Sequence, residues 1–402
     1  MNYYGGRRRL SGIGLLLVVV LAAPVVIAAV GKKLPEYKTK YYVLYTDLDR
    51  DMKREAAARI TAMAEEYYNR TKSFSGVIRR RFSLYLYRNR EDYARHPGII
   101  KGSAGIYNGK SLVATAPPPG GSWGVVQHEG FHQFADKMIR GRMPIWLNEG
   151  LAEYFGGGIW TGDDLVVGVI PPWRLARLKK LIQAVQLLTM DRMLTMSHRE
   201  WNEEPASRNY DQAWSMVHFL VHAENGKYQK ALSAYIRDMS RRQVPTLAFA
   251  KRFGRNLKAF RKSYAKWWTE QPKTPTVGLY EEIKVRVLAG FLARAQYTRK
   301  WFKNSAEFFQ AAEDGTFDNI LNDVGRQNQR LWLPPSLLVK GIRSAGDPKR
   351  WSLTKKGPRQ ELRYAGSDGM VFTGTFTIQR GKNPKVKVVV TKRPPKAAAN
   401  RQ

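Results

Sequence analysis

Apolar and aromatic positions crowd together at Lys40–Thr46 (KYYVLYT) and again at Arg81–Tyr87 (RFSLYLY), and each stretch predicts a β-strand. Between them, Asp51–Thr71 sets Ala, Met and Glu at helical spacing, so the first part of the chain reads strand, helix, strand. Ala104–Tyr107 and Leu112–Thr115 flank the turn pair Asn108-Gly109 and predict a short hairpin, followed by a loop at Pro117–Gly121. From Ser122, a residue suited to capping, the pattern turns helical until near Gly141. Pro144 suits the first turn of a second helix, which the glycines at 156–158 should end. Further helical stretches are expected at Pro172–Leu188, Tyr210–Ala223, Tyr228–Arg241 and Leu257–Trp268.

A polar, proline-bearing stretch at 271–276 (QPKTPT) reads as a linker to a second unit, spanning 277–391. There, Leu279–Ala312 is helical in pattern and Pro334-Pro335 breaks the chain. Trp351–Val390 alternates apolar and polar residues, with turns at Gly366–Gly369 and Gly381–Asn383, as in a small antiparallel sheet. The tail at 392–402 is rich in Pro, Ala and Lys and is expected to be disordered. The fold class expected is therefore α+β: a main domain over about 38–270 and a small C-terminal α+β unit.

The N-terminus changes the picture of where the protein works. Arg7, Arg8 and Arg9 precede an uncharged apolar run from Leu10 to Val30, closed by Lys32 and Lys33. This reads as a signal peptide or an N-terminal membrane anchor over residues 1–33. Ala28 and Ala29 suit cleavage, while the run is also long enough to span a bilayer. Either way the positive flank stays inside, and the rest of the chain is expected on the outer side of the cytoplasmic membrane.

The formal charge of +35, from 68 Lys+Arg against 33 Asp+Glu, allows an anionic envelope polymer or membrane surface as partner. The basic residues run along the whole chain with no nucleic-acid motif, so no specific nucleic acid is expected. There is no cysteine, which excludes disulfides and thiolate ligands and leaves His and carboxylates for any metal site.

Residues 128–132 read HEGFH. On a helix, positions i and i+4 share a face, so His128 and His132 can present two imidazole nitrogens to one ion. Glu129 lies one step along, where it can reach a water activated at that ion. This is the spacing of a zinc hydrolase. Seventeen positions on, Glu149 stands in WLNEGLAEY on the next predicted helix, and a turn between the helices can bring it in as a third ligand. Two His and one Glu leave one position of a tetrahedral zinc open. From Tyr93 to Thr161 the only carboxylates are Glu129, Asp136, Glu149 and Glu153. Three of the four fall in these two motifs, a cluster of negative charge that a divalent cation would offset. Asp136 is expected on the surface of its helix.

HEGFH followed by WLNEGLAEY resembles the gluzincin metallopeptidases, and in particular the peptidase MA-like zincin domains of exported bacterial proteins. The likeness to the aminopeptidase N-like group is more distant. Residues 103–107 read SAGIY where that group carries Gly-Ala-Met-Glu-Asn, so endo- versus exopeptidase mode stays open. The resemblance covers about residues 40–270. It implies a zincin-like catalytic domain: a mixed sheet, an active-site helix, a glutamate helix and a helical lower half. It also implies Zn2+ held by His128, His132 and Glu149, Glu129 as general base, and Glu153 orienting a zinc-bound His through its far nitrogen. The Tyr-x-Gln-Ala-Trp pattern at 210–214 is similar to one in these domains, so Tyr210 is a candidate donor to the oxyanion or a packed core residue. His218 and His222 also stand at i, i+4, but without a following glutamate and in an apolar stretch, so helix packing or a partly surface position is expected of them.

The function expected is an exported zinc-dependent metallopeptidase acting on peptide or protein substrates. Two alternatives stand beside it: a catalytically silent envelope protein that binds a polyanion or peptidoglycan through its basic surface, and a peptidase-fold protein acting on a non-peptide amide.

Overall fold

Strand β1 (Glu36–Lys38) pairs antiparallel with β2 (Tyr42–Thr46), and helix α1 (Arg50–Thr71) then carries the chain to β3 (Phe82–Tyr87), which runs parallel to β2. The side chain of Asp49 caps α1 by accepting from the Met52 N–H at 2.9 Å. A short helix, α2 (Arg90–Ala94), leads to the hairpin β4 (Gly105–Tyr107) and β5 (Ser111–Thr115). Strand β5 inserts parallel beside β3 and leaves β4 at the edge, giving the order β1-β2-β3-β5-β4. Leu44, Leu84, Leu86, Leu112 and Ala114 face the main core, where α1 and α3 (Trp123–Met138) cover the sheet. Tyr45, Tyr85 and Val113 alternate to the opposite face and pack with Tyr93 of α2.

This computed structural model describes residues 33–116, 122–139, 141, 143–203, 206–328, 331–357, 359–379 and 384–392. The basic and apolar N-terminal segment, the expected loop at 117–121, the turn at 381–383 and the tail beyond Lys392 lie outside the described residues. Among the described residues, no helix is long and apolar enough to cross a membrane.

Ser122 caps α3 as its sequence predicts, accepting from the Gly124 N–H at 3.1 Å. The helix stops at Met138, short of Gly141, because Ile139 turns to an extended backbone and buries its side chain in the core. Helix α4 (Ile145–Gly156) follows, with Pro144 just ahead of it. A small hairpin, β6 (Ile159–Trp160) and β7 (Leu165–Val166), then leads to α5 (Pro172–Gln183). The pattern predicts α5 as far as Leu188, but Val185 takes a positive φ of 56° and ends it earlier. Two short helices that the pattern does not show follow: α6 (Met190–Thr195) and α7 (His198–Glu203). Helix α8 (Ala206–His222) begins one turn before the predicted start, so Tyr210 sits inside it and not at its first residue. Three more helices follow: α9 (Gln229–Ser240), α10 (Pro245–Phe253) and α11 (Leu257–Thr269).

The expected linker at 271–276 is tied down: the Thr276 hydroxyl accepts from the Ile170 N–H at 3.0 Å. The single helix expected over Leu279–Ala312 is two, α12 (Val277–Tyr297) and α13 (Ser305–Glu313). Arg299, at a φ of 60°, turns the chain between them, and Asn304 caps the second. After α14 (Thr316–Gln327), the Pro334-Pro335 pair starts a helix instead of merely breaking one, since Pro335 stands in the first turn of α15 (Pro335–Ala345). Strands β8 (Trp351–Lys356), β9 (Arg359–Ala365), β10 (Met370–Thr377) and β11 (Lys385–Lys392) form an antiparallel sheet in the order β11-β10-β9-β8, against which α12 packs.

The buried apolar residues of both stretches form one continuous cluster from Tyr42 to Val386. A buried ion pair crosses between the stretches. The fully buried Arg294 guanidinium holds both Asp163 oxygens, at 2.8 and 3.0 Å.

Candidate metal centre

Helices α3 and α4 are held side by side with the faces that carry His128, His132 and Glu149 turned toward each other. Gly150 lets α4 come down on α8, because a Cβ there would stand 2.5 Å from the Ala213 carbonyl oxygen. Gly105 does the same between the edge strand β4 and α3: a Cβ would meet the Val125 side chain at 2.5 Å. Both positions need glycine for close approach. The result places α3 between β4 and α4, with its His128–His132 face in the seam.

In that seam the His128 and His132 Nε2 atoms lie 3.1 Å apart, and Glu149 Oε2 lies 3.4 Å from each. His128, His132 and Glu149 thus form a group that can hold a metal ion. The fit can be tested on the donors themselves. A tetrahedral ion with bonds of about 2.0–2.1 Å needs donor atoms about 3.3–3.4 Å apart. The observed triangle is close to that size. Glu149 Oε2 is buried and makes no hydrogen bond, although an unsatisfied buried carboxylate oxygen is costly. A cation at the centre of the triangle would satisfy it.

Charge crowding supports the same conclusion. Burial pushes the His128 imidazole down, but the carboxylates of Glu149 and Glu153 outweigh it and raise it to about 10. Burial likewise pushes Glu149 up, and His128 and His132 outweigh that and hold it at about 2. Two carboxylates converging on one imidazole demand positive charge, which a proton on His128 or a cation between the ligands can supply.

Glu153, one turn after Glu149, meets the far nitrogen of the first histidine: its Oε1 lies 3.1 Å from His128 Nδ1. Its other oxygen is held by the Arg174 guanidinium at 2.7 Å. His132 Nδ1 is buried without a hydrogen-bond partner among the described residues. Glu129 points to the sheet side of α3, where its Oε2 accepts from the Tyr107 N–H at the end of β4, at 2.9 Å. The Tyr107 phenol in turn donates to Asp136 Oδ2 at 2.5 Å, which ties β4 to α3 a second time. Asp136 is half-exposed and stands outside the donor triangle, as expected from the sequence.

The Tyr210 ring lies 6.3 Å from the His128 ring, centroid to centroid, and packs edge-on against Trp201. Burial, then the negative charge of Glu149, raises its phenol to about 12, so it stays a neutral donor. A cleft of about 550 Å³ opens beside the triangle and reaches Tyr107, His132, Asp136, Asn148, Glu149 and His198. His198 reads as part of a polar loop in the sequence; it is the first residue of α7 and lines this cleft. His218 is buried in aromatic packing against Tyr154, Trp214 and Trp268, and His222 meets the Tyr154 hydroxyl at 3.1 Å. Neither is part of the group that can hold a metal ion.

Sequence reasoning misses the backbone of Tyr107 as the hold on Glu129, and it misses Arg174 with Asp211 behind Glu153. The only available signal was Asp211 itself, a lone acid at the head of an otherwise apolar helical run (AWSMVHFLV). Such an acid is seldom buried without a cation.

A family model described as "Protein of unknown function (DUF1570)" matches residues 122–245, from the cap of α3 to the start of α10. No curated protein and no solved structure matches the chain.

Proposed function

We propose that this protein is an exported zinc-dependent metallopeptidase of the gluzincin type with a zincin-like catalytic domain. The observation that carries the reading is the donor triangle of His128, His132 and Glu149, two imidazole nitrogens and one carboxylate oxygen, half-buried and of the size a tetrahedral ion requires. Two nitrogens and one oxygen, with no thiolate in the chain, suit zinc better than calcium or magnesium, which prefer all-oxygen shells. When bound, zinc would supply Lewis-acid polarisation of a carbonyl and lower the pKa of a water toward about 7.

The chain's own residues supply the rest. Glu153 holds His128 Nδ1, which leaves Nε2 to face the triangle. Glu129, fixed by the Tyr107 N–H, takes the proton from the attacking water and can return it to the leaving amine. Tyr210 stays protonated and donates to the oxygen on which negative charge builds. The cleft beside the triangle offers room for substrate side chains.

The test is metal stoichiometry combined with a peptidase screen of the purified chain. One zinc per chain is expected, lost in His128→Ala, His132→Ala and Glu149→Ala; a triple variant that keeps its zinc would sink the assignment. Glu129→Gln should keep the zinc and lose turnover. Zinc without turnover in the wild type would favour the silent, polyanion-binding envelope protein instead. Export rests on the Arg7–Val30 pattern, and a reporter fused after Val30 that is active only in the cytoplasm would count against it.

A further inference from the structure

We propose that Arg174 is the positioning residue of this site: a single guanidinium locks Glu153, and through it His128, to the helix that carries Tyr210. This rests on the metal-centre reading above and extends it to a residue that touches neither the donor triangle nor the substrate cleft.

Arg174 sits in the first turn of α5 and is 9% exposed. Its three donor nitrogens go to three places on two other helices. Nη1 holds Glu153 Oε2 of α4 at 2.7 Å. Nε donates to Asp211 Oδ1 of α8 at 2.8 Å, and Nη2 donates to the Tyr210 carbonyl at 3.3 Å. The guanidinium lies over the Trp214 ring, 4.4 Å from its centroid, so its plane is fixed as well. Asp211 is fully buried, and Arg177 holds it from the outer side. The continuous path is therefore His128–Glu153–Arg174–Asp211, with Tyr210 hanging from the same fork.

Stability alone does not call for this arrangement. Buried ion pairs are often replaceable by apolar residues at no cost. What the arrangement supplies is a fixed angle. A planar fork with donors in set directions holds a carboxylate and a neighbouring helix in one register, which a lysine ammonium cannot do. Glu153 can orient His128 only if its own carboxylate is held, and Arg174 is the cation that holds it.

The sign of the effect separates positioning from simple electrostatics. A guanidinium near a divalent cation repels it, so on charge alone Arg174→Met would bind zinc more tightly. Positioning demands the opposite.

Zinc affinity of the full chain is measured by chelator competition, and ligand geometry by the visible absorption of the cobalt-loaded protein. Arg174→Met keeps an unbranched apolar stem over Trp214 and is expected to weaken zinc about 10–100-fold and to shift the cobalt bands. In a Glu153→Gln background, where the held carboxylate is already gone, the same substitution should change affinity by less than about threefold. Arg177→Met, which removes the other cation on Asp211, should leave both readouts as in the wild type. If Arg174→Met does not fold, Arg174→Lys serves: it keeps the charge but cannot reach Glu153, Asp211 and the Tyr210 carbonyl together, and a loss of zinc affinity is again expected. Wild-type or tighter zinc binding in the variant that folds, or an equal loss with and without the Glu153 carboxylate, overturns the proposal. A wild-type chain that takes up no zinc overturns the metal-centre reading itself, so the two failures are distinct.

Discussion

Replacing Gly150 by alanine probes the joint on which the site depends. The new Cβ would lie 2.5 Å from the Ala213 carbonyl oxygen, 2.9 Å from its carbon and 2.9 Å from a Val217 methyl. Relaxed contact between such atoms begins near about 3.5 Å, so α4 and α8 must part locally by roughly 1 Å. Two effects compete. Alanine in a helix interior is favoured over glycine by about 0.5–1 kcal/mol. Forcing an extra carbon into a packed interface costs about 1–3 kcal/mol. Here the obstruction is mostly backbone, which cannot swing aside as a side chain does, so the upper part of that range applies. The clash wins, and a net loss of about 1–2 kcal/mol is expected, equivalent to a few degrees in the melting midpoint. The displaced residue is next to Glu149, whose Oε2 stands 3.4 Å from both imidazole nitrogens, so a shift of this size opens the donor triangle and zinc affinity falls with stability. Melting is followed by circular dichroism in the presence of a chelator, which removes the contribution of bound metal to the midpoint. Zinc affinity is then measured separately. A Gly150→Ala chain that melts at or above the wild-type midpoint would refute the close approach of α4 and α8.

Tyr210→Phe is expected to lower kcat by about 10²–10³ with KM, zinc content and folding little changed, because the ring and its packing on Trp201 are kept; a wild-type kcat would make Tyr210 a packing residue only. Arg294→Met leaves Asp163 buried without its cation and should destabilise the chain by about 3–5 kcal/mol, read in chemical denaturation; a loss under about 1 kcal/mol would show that this bridge does not hold the two stretches together. Burial, with a smaller push from Arg70, lowers His222 from its ordinary 6.5 to about 4. The unfolded chain therefore takes up this proton first, and stability present above about pH 6.5 should drain away as pH falls toward 4, with a shallower decline in His222→Gln. An identical acid profile in that variant would assign the loss to other groups.

Much of the site could be read from residue order because its parts are local. HEGFH fixes two imidazoles on one helical face by the 3.6-residue period alone, and Glu149 and Glu153 share a face of the next helix for the same reason. Clustered apolar and aromatic residues predicted β2 and β3, the Asn108-Gly109 pair marked the β4–β5 hairpin, and Ser122 marked the start of α3. Boundaries that depend on a single residue's conformation were not visible. Val185 and Arg299 turn the chain at positive φ although nothing in their type favours it, so α5 comes out shorter and the α12–α13 stretch splits.

Only the tertiary structure decides how the local pieces face one another. Sequence spacing allows Glu149 to reach the histidines, but the seam between α3 and α4 sets the 3.4 Å separations, and close approaches at Gly105 and Gly150 set that seam. The hold of the Tyr107 N–H on Glu129 depends on β4 being the edge strand beside α3, a matter of strand order. Arg174 and Asp211 are 37 residues apart on two helices, and their meeting behind Glu153 follows from neither period nor motif. Helical and strand periodicity act over a few residues and can be read along the chain. The register of one helix against another is set by side-chain volumes from distant segments filling one core, so it exists only once the chain has folded.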